Sequence, residues 1–272
     1  MHLVVPGTSP LEAFSEKIQR VTEERIEFPV NKVENWYPDT VKLVVEGKGS
    51  TIQREEAILE KLKALNDPGN HMKFKLGWTK AIDPQVLPPY LSQRDYENPE
   101  LVKFTRNDFP WDMAKDVEHH VMWIRPHLVT PAAFKRREDD PPYPSREYRK
   151  INGLRVAALV EYLNKNNMYG WTGLPPSAVS PFRQSILLHP TKKHVWKSES
   201  GELITRQQAT RAMRWVARHT ERLIEMKFPP SSYETVWSRS SKRVQSFNDP
   251  NHLHVLVIPK SSPHSFSNRK SS

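Results

Sequence analysis

The residues best placed to do chemistry lie in two distant segments. One is Arg106-Asn107-Asp108-Phe109-Pro110-Trp111 running into His119-His120-Val121-Met122-Trp123; the other runs from Trp237 through Ser246 to His252-Leu253-His254. Each sets hydrogen-bonding side chains at or inside an apolar run, where an unpartnered polar group costs about 1–3 kcal/mol. Strand alternation puts His252, His254 and Leu256 on one face and Leu253, Val255 and Val257 on the other, so two imidazoles look the same way. Such a pair suits proton transfer. It would also suit a metal, with His119 or His120 as a further ligand, but no carboxylate or cysteine motif completes the set, and no metal is expected. A histidine-triad nucleotide hydrolase would want a third histidine where Leu256 stands. Ser246, His252 or His254, and Asp108 are the ingredients of a serine triad, yet no Gly-x-Ser-x-Gly elbow occurs. Phosphate-loop and dinucleotide glycine fingerprints are missing as well, which lowers kinase, ATPase and dehydrogenase readings.

The elements that must position these groups follow from periodicity. Glu118 to Ile124, Tyr233 to Trp237 and His252 to Ile258 read as strands, preceded by a short extended run from Leu101. The strongest helical pattern covers Thr205 to Lys227. Ala209, Ala212, Met213, Val216, Thr220, Leu223 and Ile224 form its core stripe, and Arg211, Arg214, Arg218 and Arg222 a basic rail opposite, with Trp215 at the margin. That rail is either a solvated face neutralised by Glu221 and Glu225 or a surface that tracks phosphates. Further helices are expected from Thr51 to Leu65 and from Ile151 to Asn166. The fold class expected is α+β: a mostly antiparallel sheet packed by helices, one domain over residues 1–258 with an irregular insertion over about 130–202. A basic, Ser-rich tail at 259–272 is expected to be disordered.

Composition narrows the partners. Of 272 residues, 41 are Lys or Arg and 31 Asp or Glu, a net charge of +10 that favours polyanions. There is no cysteine, which excludes disulfides, thiolate metal sites and cysteine nucleophiles. No secretory signal or membrane-spanning run is evident, so the expected location is the cytoplasm, without a membrane partner.

Phe104 to Trp111, His119 to Trp123, and Trp237 through Ser246 to His252-Leu253-His254-Val255 together resemble the fungal N-acetylglucosamine-induced-protein family, especially the basic branch that contains the arginine-containing cyclodipeptide synthases. The pattern is an Arg-Asn-Asp-aromatic-Pro turn, a His-bearing strand ending in Trp, and a Trp strand followed by Lys-Ser and a His-x-His strand. The motifs cover about 50 residues of the chain. Gln245 stands where a lysine usually precedes the motif serine, and Arg239 and Ser240 alter a Lys-Asn pair. The resemblance implies that arginyl-tRNA and a second aminoacyl-tRNA are joined and the dipeptide is closed to a diketopiperazine, as the first step of a secondary-metabolite pathway with downstream tailoring enzymes. An aminoacyl ester is already activated, so neither ATP nor another cofactor is implied.

On that reading His252 or His254 is the proton-transfer base and His119 an orienter or second base, while Asn107, Ser246 and Lys242 are candidate oxyanion or carbonyl donors. Asp108 and Glu118, with Arg106 beside them, are candidates for binding substrate and holding the arginine guanidinium. Trp123 and Trp237 would wall the pocket, and Arg211, Arg214, Arg218 and Arg222 would contact tRNA. The alternative is a non-enzymatic regulatory or interaction protein of the same family.

Overall fold

The computed structural model describes residues 68–83, 85–108, 113, 116–138, 140–143, 153–175, 194–240, 250–263 and 265–268. The helix expected from Thr51 to Leu65 lies outside them. Among the described residues there are three α-helices, α1 (Pro68–Lys75), α2 (Gly153–Lys165) and α3 (Arg206–Lys227). The strands are β1 (Val102–Arg106), β2 (Glu118–Ile124), β3 (Met168–Thr172), β4 (His194–Lys197), β5 (Leu203–Thr205), β6 (Tyr233–Arg239) and β7 (Asn251–Pro259). Five of them form one sheet in the order β1-β2-β7-β6-β3, every pair antiparallel, while β4 and β5 make a separate hairpin. This is the α+β arrangement read from the sequence.

Alternation gives the sheet two distinct faces. Val102, Met122, Ile124, Leu253, Val255, Val257 and Trp237 share one, and with Ala209, Ala212, Met213, Val216, Leu223 and Ile224 of α3 they form the main core. Each large aliphatic chain buried there contributes about 1.5–3 kcal/mol. A reciprocal cap starts α3. The Thr205 hydroxyl accepts from the Gln208 backbone N–H at 3.2 Å, and Gln208 Oε1 accepts from the Thr205 N–H at 3.0 Å. The other sheet face carries His119, Val121, Trp123, Leu256, His254 and His252 by register, and α1 lies against it through Met72, followed by Leu76 just after the helix.

Two expectations need correction. The stretch read as an insertion does not stand apart: α2 packs into the core through Ala158, Leu159 and Leu163, and β3 forms an edge of the main sheet, its Thr172 hydroxyl 2.8 Å from that of Thr235. Gly170 hides this strand, because a glycine inside five residues reads as a break. Its missing side chain is required. A Cβ there would come within 2.5 Å of Glu221 Oε1 and 2.6 Å of Trp237 Nε1. Nor is the stretch after Pro259 a loose tail over its described part, since residues 260–263 and 265–268 fold back and bond to Glu234 and Asp116. A buried carboxylate demands donors, and the serine-rich sequence supplies them.

Candidate functional site

The two distant segments meet on the α1 side of the sheet. β2 and β7 are direct neighbours, with His119 opposite Leu256 and Val121 opposite His254, so His119 and His254 project from adjacent strands on one face. His119 Nε2 lies 3.0 Å from His254 Nδ1, the rings tilted at 56°. The Asn107 side-chain amide reaches the same imidazole edge, Nδ2 being 3.2 Å from His119 Nε2 and 3.4 Å from Nδ1, and its backbone N–H donates to the His119 carbonyl at 2.8 Å. His252 completes the group: its ring stands edge-on to His254 with centroids 5.7 Å apart and packs on Trp123 at 5.2 Å.

Burial sets the charge state of this cluster. It pushes His252 down to about 4; a hydrogen bond from Nδ1 to the Pro250 carbonyl at 3.3 Å works weakly against this, and Arg239 reinforces it. Burial and then the neighbouring His252 push His254 down to about 3, although part of its surface still meets solvent. Near neutral pH both imidazoles are uncharged and carry a lone pair. Because a carbonyl can only accept, the proton of His252 sits on Nδ1, leaving Nε2 as its acceptor nitrogen.

Trp123 bounds the site, held by its indole N–H donating to the Thr105 hydroxyl at 2.8 Å. Asp108 is at the rim, ion-paired to Lys75 of α1. The buried His71 is near both, its pKa lowered by burial and by Lys75 and raised by Asp108. Among the described residues no group of three or more His, Asp or Glu is arranged to hold a metal ion.

Several residues expected at the site lie elsewhere. Trp237 pairs with Val255, not with a histidine, so it faces α3 and is fully buried in the main core. Glu118 and Arg106 share that opposite face. Glu118 accepts from Arg106 at 3.1 Å and lies 2.7 Å from His120 Nε2, and His120 packs on Phe228. Ser246 and Lys242 lie outside the described residues. Ser238, which β6 places directly opposite His254, was not among the expected residues, and neither were Lys75, His71 and Thr105. For Ser238 the signal was present as alternation along Tyr233–Arg239; for Lys75 and His71 there was none, because a tertiary contact brings α1 to the sheet.

The arginine rail is broken at its centre. Arg218 turns inward to a nearly enclosed Asp140, with Nε 3.0 Å from Oδ1 and Nη2 2.9 Å from Oδ2, and also donates to the carbonyls of Ala133 and Trp215. Trp215, expected at the rail's margin, is buried beneath the same segment, its indole donating to the Phe134 carbonyl. Arg222 pairs with Glu225 at 3.3 Å, and Arg211 and Arg214 complete the outer side of α3. That side faces away from the histidines.

An antiparallel α+β sheet with a histidine pair on the face opposite its main helix defines the architecture. Residues 11–140 match the family described as Protein of unknown function (DUF3605). The matched stretch contains β1, β2, Asn107, Asp108 and His119, and ends before β7 brings in His252 and His254. Neither a curated protein nor a solved structure matches the chain. No helix among the described residues is long and apolar enough to cross a membrane.

Proposed function

We propose that the protein joins arginine, delivered as arginyl-tRNA, to a second amino acid delivered as an aminoacyl-tRNA, and closes the product to a diketopiperazine. The observation that carries this reading is the meeting of His119 and His254. These residues lie 135 positions apart and belong to separate motifs of the resemblance to arginine-containing cyclodipeptide synthases, yet they stand at 3.0 Å with Asn107 on the same imidazole. A constellation assembled from such distant segments suits a site.

The chemistry asks for positioning and proton transfer rather than activation. The α-amine of one aminoacyl group attacks the ester carbonyl of the other, the C–N bond forms, and the tRNA ribose oxygen leaves with a proton. The free amine of the dipeptidyl ester then attacks its own ester carbonyl, a second C–N bond closes the ring, and the second tRNA's ribose oxygen leaves with a proton. An uncharged His254, in contact with His119, offers a lone pair for the amine proton and a neighbour to share it. The Asn107 amide orients His119, and Trp123 supplies a flat wall beside His252. Asp108 is the carboxylate at this rim, and its present partner is the ammonium of Lys75, a cation that an incoming guanidinium would replace.

The test is expression in a host with ordinary aminoacyl-tRNAs and mass spectrometry of extracts for cyclic Arg-x dipeptides. Wild type should yield one, and His119→Gln and His254→Gln should each reduce it by about 100-fold or more. Soluble wild-type protein giving no such product, with charged tRNA verified, would return the chain to the interaction-protein alternative.

A further inference from the structure

Beyond the histidine site, the segment after β7 forms a strap with one chemically distinctive fastening. Glu234 of β6 is wholly buried, and its carboxylate accepts three hydrogen bonds from the strap: the Phe266 N–H at 2.9 Å, the Ser267 N–H at 2.8 Å and the Ser267 hydroxyl at 2.7 Å. The strap is further held by Ser265, whose hydroxyl donates to the Lys260 carbonyl at 2.9 Å, and by Ser262, whose hydroxyl donates to Asp116. Asp116 lies between Asp108 and β2, so the strap reaches from β6 to the connection that follows Asn107.

The serines of this strap are not equivalent. Ser262 and Ser265 are buried, whereas Ser267 is exposed and sits in a single 3-10 turn, Phe266–Asn268, of the kind that opens readily. In sequence it is followed by Asn268-Arg269-Lys270, placing cations two and three positions beyond the hydroxyl. Ser267 is also the strap serine whose hydroxyl bonds a buried carboxylate.

We propose that Ser267 is a phosphoryl-acceptor site for a serine kinase that selects basic residues after its target, and that its modification releases the strap from Glu234. In the step, the Ser267 hydroxyl oxygen bonds the γ-phosphorus of ATP, the β,γ-bridging oxygen leaves with ADP, and the hydroxyl proton passes to solvent through the kinase. The product loses the O–H that donates to Glu234 and sets a phosphate carrying nearly two negative charges beside a carboxylate with no solvent to screen it. Like-charge repulsion and desolvation both favour opening. Release leaves the Ser262 hydroxyl on Asp116 as the strap's hold on the connection bordering the histidine site, whatever reaction that site serves.

The full-length protein is incubated with Mg-ATP and a purified serine kinase selective for basic residues at the second and third positions after the acceptor. Fragmentation mapping should find phosphate on Ser267, and amide exchange at Phe266 and Ser267 should accelerate about tenfold or more. Ser267→Ala should take up no phosphate there and keep its amide protection, because both backbone bonds to Glu234 remain. Absence of phosphate on Ser267 of the native protein, or phosphorylation with protection unchanged, would overturn the proposal.

Discussion

Glu221 and the histidines pull the pH dependence of stability in opposite directions. The carboxyl of Glu221 lies against Gly170 and Trp237, and burial raises its pKa from 4.5 to about 7. Glu225 adds to the rise, while Arg214 and the nearby Trp237 indole N–H, which is outside hydrogen-bond geometry, oppose it. A folded-state pKa above the unfolded one contributes stability that is fully present below pH 4.5 and lost as pH rises through about 7. His252 and His254 are lowered from 6.5 to about 4 and about 3, so their contribution is present above pH 6.5 and lost as pH falls through those values. Glu221→Gln should therefore make the melting temperature fall less, or climb more steeply, between about pH 4.5 and 7 and leave its slope below pH 4.5 unchanged; an unaltered slope in that window would show that Glu221 does not act there. Of this residue-scale detail, the sequence disclosed which types mattered on β7. Glu221 read as a surface partner of Arg218, because a helical wheel cannot see that a glycine on another strand leaves room for a carboxylate.

At the scale of elements, the 131–143 segment and α3 are joined by charge as well as packing. Burial alone would raise the Asp140 carboxyl, but the Arg218 hydrogen bonds and charge, with the Arg137 backbone N–H, hold it below the usual carboxylate range. His219 Nε2 lies 3.0 Å from the same carboxylate. Removing one member of such a pair strands the other. Asp140→Ala should cost about 3–5 kcal/mol in urea unfolding, and Arg218→Met added to it should recover a large part. A loss no larger than that of an exposed pair, up to about 1 kcal/mol, would show the clasp to be ornamental. Helix α3 and strands β2, β6 and β7 were legible within one or two residues, the helix from its 3.6-residue period and the strands as short runs rich in β-branched and aromatic residues bounded by turn residues. Strand β3 was not, being short and broken by Gly170, and the clasp was not, because Asp140 lies in a proline-rich acidic run whose pattern is that of a solvated loop.

For the whole molecule, the histidine face and the arginine face are opposite sides of one sheet-and-helix sandwich. A tRNA bound through α3 must curve around an edge to bring an aminoacyl ester to His254, so the rail would serve affinity and not the reaction. Replacing Arg211, Arg214 and Arg222 together by Gln should weaken tRNA binding and reduce the slope of log affinity against log salt by about 0.7–0.9 for each phosphate no longer neutralised, with Arg218→Gln adding little beyond its effect on folding. An unchanged slope would assign that surface to solvation. The net charge of +10 was plain in the sequence. The side on which the α3 arginines lie was not, because it depends on which sheet face α3 packs against.

The strand order has a consequence in time. Strand β7, latest of the seven in sequence, lies at the centre of the five-stranded sheet, between β2 and β6. During synthesis β1 and β2 leave the ribosome more than a hundred residues before the strand that must cover their inner edge. The sheet therefore closes late, through contacts distant in sequence, which slows folding and leaves an apolar strand edge waiting for its partner. His119 meets His254 only at that closure, so a nascent chain holds no assembled histidine pair until its central strand is in place.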